Sequence, residues 1–187
     1  MPNRRKVNIS VGFNRIKSST LNKVMKEKTS VIINEMIGYY AKDPRRVNHF
    51  LKVFSFAKSI GELEKLNEET QYILEVAAIM HDIGIKISEE KYSSSAGNYQ
   101  EIEGPPVARE MLSKFEFQEK FMDRVCYLIG HHHTYSKIDG IDYQILIEAD
   151  FLVNIYEDEI KSSQIESIKE KHFKTKVGTE FLANLYL

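Results

Sequence analysis

The sequence is poor in cysteine, with Cys126 as the one example in 187 residues. A single cysteine excludes an intramolecular disulfide, and it excludes a cysteine-based zinc site within one chain. Proteins without disulfides are typical of a reducing compartment, so we expect a cytoplasmic protein. Any metal site would have to be built from histidine and carboxylate side chains.

An excess of one charge and long apolar runs are also lacking. The 26 Lys and Arg residues nearly balance the 27 Asp and Glu residues, so no overall field recruits nucleic acid or an anionic membrane. No apolar run approaches the length that spans a bilayer, and no apolar N-terminal segment resembles a signal peptide. We therefore expect a soluble protein with neither a membrane nor a nucleic acid as its partner.

The first 28 residues are locally basic, with eight Lys or Arg residues against one acid, Glu27. We interpret residues 1–28 as a poorly ordered leader. A transit-like segment and a nucleic-acid contact arm are the alternatives. Residues 29–187 are then a single domain, long enough to bury one sizeable core.

From about Thr29 onward, apolar residues recur at helical spacing, and no alternating strand pattern of useful length is present. We predict an all-α fold, a compact bundle of six or seven helices. The segment 87–103 is polar and without periodicity, which predicts a long loop of the kind that often forms a lid or a binding segment. Pro105 and Pro106 are expected in the first turn of the next helix, and the last helix is expected over about 165–185.

One apolar helical run, VAAIMHDIGIK over residues 76–86, ends in the adjacent pair His81 and Asp82. An unpaired buried carboxylate costs several kcal/mol, roughly, so this pair needs a partner, and a divalent metal satisfies both groups. Other metal-competent groups lie beside apolar stripes elsewhere: His49, Asp150 and the triplet His131, His132 and His133. Each alone could be a capping, solvated or satisfied polar residue, but their coincidence in one helical chain favours a metal site.

The order His, His-Asp, Asp resembles the HD superfamily of metal-dependent phosphohydrolases over roughly residues 46–150. RRVNHFLKV resembles the family's first-His helix, AAIMHDIGI its name-giving motif and ILIEADFL the helix with the final Asp. The resemblance implies four metal ligands: His49, His81, Asp82 and Asp150. It also implies that the protein hydrolyses a phosphate monoester or nucleotide through a metal-activated water, which Asp82 helps to orient or deprotonate.

Ligand type leaves the metal open among iron, manganese, zinc, cobalt and nickel. Family members with a second metal have an additional His where this chain has Gln100, with Glu101 next to it. The family's tandem histidines are present, and His132 and His133 are the expected equivalents, with His131 as the variable neighbour. We therefore expect one metal per chain rather than two. The alternative is a second metal or a substrate contact that uses His132, His133 or Glu101.

Arg46, one turn before His49, and Lys86, just after the His-Asp pair, are candidate phosphate clamps, because both side chains bind phosphate. Both could instead be surface cations. A second hypothesis is a metal-containing regulatory module that binds a nucleotide without turnover. A third, redox chemistry at a di-iron centre, would need two irons, against which Gln100 argues. Apolar stripes on most helices and the C-terminal FLANLYL permit a homodimer.

Overall fold

The computed structural model describes the backbone of residues 18–187 and the side chains from residue 28 onward, so most of the predicted leader lies outside the described residues. The helices follow in chain order: α1 (Ser18–Tyr39), α2 (Pro44–Leu63), α3 (Glu68–Met80), a 3₁₀ helix (His81–Gly84), α4 (Ile85–Tyr92), α5 (Gly97–Leu112), α6 (Glu119–Ile129), α7 (Ile141–Glu157), α8 (Ser162–His172) and α9 (Lys176–Tyr186). No β-strand occurs between residues 18 and 187, and the all-α prediction is confirmed.

The described part of the chain contains nine α-helices, more than the six or seven predicted. The segment 87–103 is not a long loop, because α4 and the first half of α5 cover most of it. Apolar periodicity does not reveal these helices, because their buried positions in this segment are polar: Ser88 on α4, and Gln100 and Glu103 on α5. Consequently Pro105 and Pro106 lie inside α5 rather than in its first turn. The predicted last helix is divided into α8 and α9.

Local sequence signals explain where α2 and α3 begin. Asp43 caps α2, with its side chain accepting a hydrogen bond from the Arg46 backbone at 3.1 Å, and Pro44 occupies the first turn. Asn67 caps α3 in the same way, with Oδ1 2.9 Å from the Thr70 backbone nitrogen. These caps fix the entry of the two helices that lead into the candidate site.

Helices α3 and α7 form the centre of the core. Every residue of α3 from Tyr72 to Met80 is buried, and twelve residues of α7 are buried. Helix α2 packs against both α3 and α7, while α5 packs against the 3₁₀ helix, α4 and α6. All of the predicted metal-competent histidines and aspartates lie on four of these elements: α2, the 3₁₀ helix, the turn after α6, and α7. No described helix combines the length and the apolar character required to cross a lipid bilayer.

Two close approaches hold these elements together. A Cβ atom on Gly84 would lie 2.6 Å from the Gln100 carbonyl oxygen, so glycine is required where the 3₁₀ helix meets α5. On the other side of the core, Glu148 of α7 is fully buried and receives hydrogen bonds from the backbone nitrogens of Lys174 (2.6 Å) and Thr175 (2.8 Å). This carboxylate ties the start of α9 to the helix that carries Asp150.

Candidate metal centre

The His81 and Asp82 side chains meet the core where α3 tightens into the 3₁₀ helix. His81 is fully buried, and its Nδ1 donates to the Ala78 carbonyl at 2.9 Å, which leaves Nε2 as the free nitrogen. The Tyr40 hydroxyl donates to the Asp82 carbonyl at 2.5 Å. The turn is therefore fixed by hydrogen bonds that leave the His81 Nε2 and the Asp82 carboxylate available for other partners.

Four predicted ligands converge at this turn. His49 Nε2 lies 3.2 Å from His81 Nε2, 3.3 Å from Asp150 Oδ1 and 3.4 Å from Asp82 Oδ2. His81 Nε2 lies 3.5 Å from the same Asp82 oxygen and 3.6 Å from the same Asp150 oxygen. Zinc and similar ions bind imidazole nitrogen at roughly 2.0–2.1 Å, which puts neighbouring ligand atoms about 3.0–3.4 Å apart. The cluster is therefore close to the size that a divalent ion requires.

Glu157 orients His49 from behind. His49 Nδ1 donates to Glu157 Oε2 at 3.0 Å, and Lys52 Nζ contacts the other carboxylate oxygen at 2.5 Å. A histidine ligand whose second nitrogen donates to a carboxylate is fixed in its tautomer and orientation. Glu157 is not among the site residues predicted from the sequence. Its spacing of seven residues from Asp150, two turns along the same face of α7, is the signal that could have identified it.

The charges within the cluster depend on one another. Burial disfavours the protonated form of His49, but the hydrogen bond with Asp150 and the charge of Asp82 outweigh burial and raise the pKa of His49 to about 9. Burial likewise opposes protonation of His81, yet Asp82 and Asp150 raise its pKa. Burial would raise the pKa of the two aspartates, but the adjacent histidines lower it for both. Two ionised carboxylates, the buried Asp150 and the mostly buried Asp82, are thus held where positive charge is required.

A second group of candidate ligands adjoins the first through Asp82. His132 is buried, its Nδ1 donates to the Ile129 carbonyl at 2.7 Å, and its Nε2 lies 3.6 Å from Asp82 Oδ1. The centre of the His133 ring is 4.0 Å from that of the His132 ring. Burial, and to a lesser extent the charge of His132, lowers the pKa of His133 to about 4. Among the described residues neither Nε2 atom has a hydrogen-bond partner. Two orphaned buried nitrogens fit a cation or a substrate atom at this position.

The other predicted contacts from this region support the turn that carries the histidines. Glu101 Oε1 accepts hydrogen bonds from the His133 backbone nitrogen and the Thr134 hydroxyl, both at 3.0 Å. His131 points away from the cluster, with Nδ1 donating to the Tyr127 carbonyl at 2.7 Å. Gln100 is buried and its Nε2 donates to the Ser95 carbonyl at 2.7 Å, while its Oε1 has no hydrogen-bond partner among the described residues.

A cavity of about 420 Å³ opens beside His49 and Asp82. Arg46 lines it, and the guanidinium contacts Glu89 at 2.6 Å and Asp43 at 3.3 Å. The second predicted phosphate clamp, Lys86, does not line this cavity, and its Nζ lies 5.2 Å from the centre of the Tyr39 ring. The structure therefore brings one of the two proposed clamps to the candidate site.

The family model described as HD domain matches residues 46–180. The crystal structure of a predicted HD superfamily hydrolase from an uncultured Thermotogales bacterium resembles this structure with a TM-score of 0.61 and 22% sequence identity, over 89% of this chain and 90% of that chain. At that identity the likeness shows a shared fold. No curated protein sequence matches the chain significantly. Because the family model covers most of the sequence, the chain belongs to the HD domain family.

Proposed function

We propose that this protein is a metal-dependent phosphohydrolase that acts on a phosphate monoester or a nucleotide. The observation that carries the proposal is the convergence of His49, His81, Asp82 and Asp150. The two histidine Nε2 atoms lie 3.2 Å from each other and 3.3–3.6 Å from the carboxylate oxygens, beside an open cavity. Membership of the HD domain family supports hydrolysis as the class of reaction.

The same four residues would hold the metal. When bound, a divalent ion lowers the pKa of a coordinated water and polarises a phosphoryl oxygen. The donor set fits iron, manganese, zinc, cobalt or nickel. We expect one ion per chain, since Gln100 stands where two-metal members have a further histidine and a neutral amide is a poor ligand for a transition metal. We also infer a cytoplasmic protein, because its lone cysteine, Cys126, is buried as a free thiol.

Asp82 is placed to act on water as well as to hold the metal. Its Oδ2 faces His49 and His81, while its Oδ1 is directed to His132 Nε2 at 3.6 Å. A carboxylate with one oxygen in the cluster and the other outside can orient an attacking water and accept its proton. Arg46, on the cavity wall, would bind the substrate phosphate through its guanidinium and offset charge that develops during attack.

The second candidate is a metal-containing regulatory module that binds a nucleotide without turnover. The observation that favours it is the pairing of Arg46 with Glu89 and Asp43, which leaves less positive charge to stabilise the transition state of hydrolysis. The two functions differ in one measurable respect. A module would bind nucleotide tightly and release no phosphate under any of the five candidate metals.

The proposal is tested with His81→Ala and Asp82→Ala, assayed for metal content and for release of inorganic phosphate from glucose 6-phosphate and from nucleoside monophosphates. Both variants should lose the metal and the activity. His172→Ala is the matched control, since this histidine lies on α8 against the Phe151 ring at 4.6 Å and belongs to neither group of candidate ligands. Activity retained by His81→Ala would end the proposal, and two equivalents of metal per chain would contradict the single-metal site.

A further inference from the structure

The cavity beside the candidate metal centre is closed at one side by an ion pair between two helices. Arg46 on α2 and Glu89 on α4 both line the cavity, and their charged atoms are 2.6 Å apart. The two side chains remain 26% and 43% exposed, so water reaches the pair and the contact can open at small cost. A phosphate group that binds the Arg46 guanidinium must displace the Glu89 carboxylate or lie against it.

Negative charge dominates the cavity lining. The described residues that line it include two guanidinium groups but five carboxylates: Arg45 and Arg46 against Asp43, Asp82, Glu89, Glu157 and Asp158. Arg45 is only weakly paired, since its side chain is 80% exposed and its contact with Asp158 is 4.0 Å long, so solvent screens most of its charge. Outside the candidate metal centre, a second phosphate would therefore have one cationic partner, the largely exposed Arg45, and it would lie beside the Asp158 carboxylate.

The lining is also unsuited to an aromatic ring. Among the described residues that line the cavity, Ile85 is the one aliphatic side chain and no Phe, Tyr or Trp is present. The one aromatic ring is the imidazole of His49, which is a candidate metal ligand. A nucleobase held in a protein site usually stacks on an aromatic or guanidinium plane. The guanidinium of Arg46 is occupied by carboxylates, so the walls offer hydrogen-bonding groups rather than a stacking surface.

We propose that Glu89 is a specificity-determining residue that restricts the site to substrates with a single phosphate group and a small, polar, uncharged remainder. This inference rests on the proposed phosphohydrolase function. One phosphate exchanges with Glu89 at Arg46, and the displaced carboxylate then repels any further phosphate on the same molecule. The polar remainder lies against the carboxylate-rich wall, where its hydroxyl groups find acceptors.

The test uses two ligands that differ by one phosphate, glucose 6-phosphate and glucose 1,6-bisphosphate. Because an active enzyme would hydrolyse the esters, the dissociation constants are measured with their methylene phosphonate analogues, by calorimetry on the metal-loaded wild-type protein, on Glu89→Gln and on Glu90→Gln. The last variant is the matched control, because Glu90 is the exposed neighbour on α4, does not line the cavity and loses the same charge.

We expect the wild type to prefer the monophosphate. In Glu89→Gln the preference should fall by about two- to fivefold, which is the size expected for one partly exposed charge pair. Glu90→Gln should match the wild type. A wild-type preference for the bisphosphate, or the same change in both variants, would overturn the inference.

Turnover separates this inference from the proposed function. If the ratio of dissociation constants changes as expected but no variant releases phosphate, the role of Glu89 stands and the phosphohydrolase proposal fails. If phosphate is released from the monophosphate while Glu89→Gln and Glu90→Gln behave alike, the phosphohydrolase stands and the role of Glu89 is refuted.

Discussion

Replacing Glu157 with glutamine should weaken metal binding while leaving the fold intact. The carboxylate accepts a hydrogen bond from His49 Nδ1 at 3.0 Å and contacts Lys52 Nζ at 2.5 Å. A glutamine amide can satisfy only one of these two donors. If its oxygen faces Lys52, its NH₂ group donates to His49 Nδ1, and the ring proton must then be on Nε2. A protonated Nε2 cannot bind a metal, so this tautomer is unsuited to the site. If its oxygen faces His49, Lys52 loses its charged partner.

The magnitude follows from the position of Glu157. Its side chain is 14% exposed and acts through one ligand, so the loss should resemble that of other carboxylates behind metal-bound histidines, about 10–100-fold in affinity. This range corresponds to about 1.4–2.7 kcal/mol of binding free energy. Folding should change little, because the glutamine has nearly the same shape.

Competition with a chromophoric chelator, using Zn²⁺ or Co²⁺, measures this affinity directly. Glu159→Gln is the control, since that exposed acid lies two residues further along, just beyond the end of α7. Thermal melting of the metal-free proteins checks that both variants fold. If Glu157→Gln binds the metal within about twofold of the wild type, Glu157 does not orient His49 in the way described.

Three further predictions concern the support of the site and its protons. Glu148→Gln should lower the free energy of unfolding by about 1–3 kcal/mol in urea titration, because charge-assisted hydrogen bonds to the start of α9 are lost; an unchanged midpoint would contradict this. Gly84→Ala should lower the free energy of unfolding by about 1–3 kcal/mol, since its methyl group would lie 2.6 Å from the Gln100 carbonyl oxygen. Gly38→Ala, with open space around it in α1, should raise the free energy of unfolding by about 0.5–1 kcal/mol. Equal effects of the two substitutions in urea titration would refute the close approach at Gly84. In the metal-free protein the pKa of His49 is raised to about 9, so metal binding at pH 7 must release its proton. The apparent affinity for the metal should therefore rise from pH 6 to pH 9, and calorimetry in buffers of different ionisation enthalpy measures the proton release. A metal affinity independent of pH would contradict this prediction.

The sequence was informative where chemistry and periodicity coincide. His49, His81 and Asp150 lie on or next to strongly apolar stretches, so their inward direction could be predicted from helical spacing alone. Their assignment as a cluster also required the resemblance to the HD superfamily, because spacing does not reveal which helices meet. The structure brings these three side chains together in one cluster.

Periodicity failed where burial is polar. The segment 87–103 forms helices whose buried side chains include Ser88 and Gln100, each held by a hydrogen bond to a carbonyl oxygen. Such positions look solvent-exposed in a hydrophobicity pattern, so a loop was predicted. In the sequence Glu101 is a candidate ligand because it neighbours Gln100. The tertiary structure shows instead that its carboxylate accepts a hydrogen bond from the His133 backbone nitrogen. The hydrogen-bond partners of buried polar side chains depend on how the helices pack, which the sequence pattern does not show.

The most direct measurement of the central claim is a crystal structure of the metal-loaded protein with anomalous scattering recorded on both sides of the metal absorption edge. We predict one strong peak bonded to His49 Nε2, His81 Nε2, Asp82 and Asp150, with nitrogen distances of roughly 2.0–2.2 Å. The absence of a peak among these four residues, or a peak bonded instead to His132 and His133 alone, would contradict the proposed metal centre.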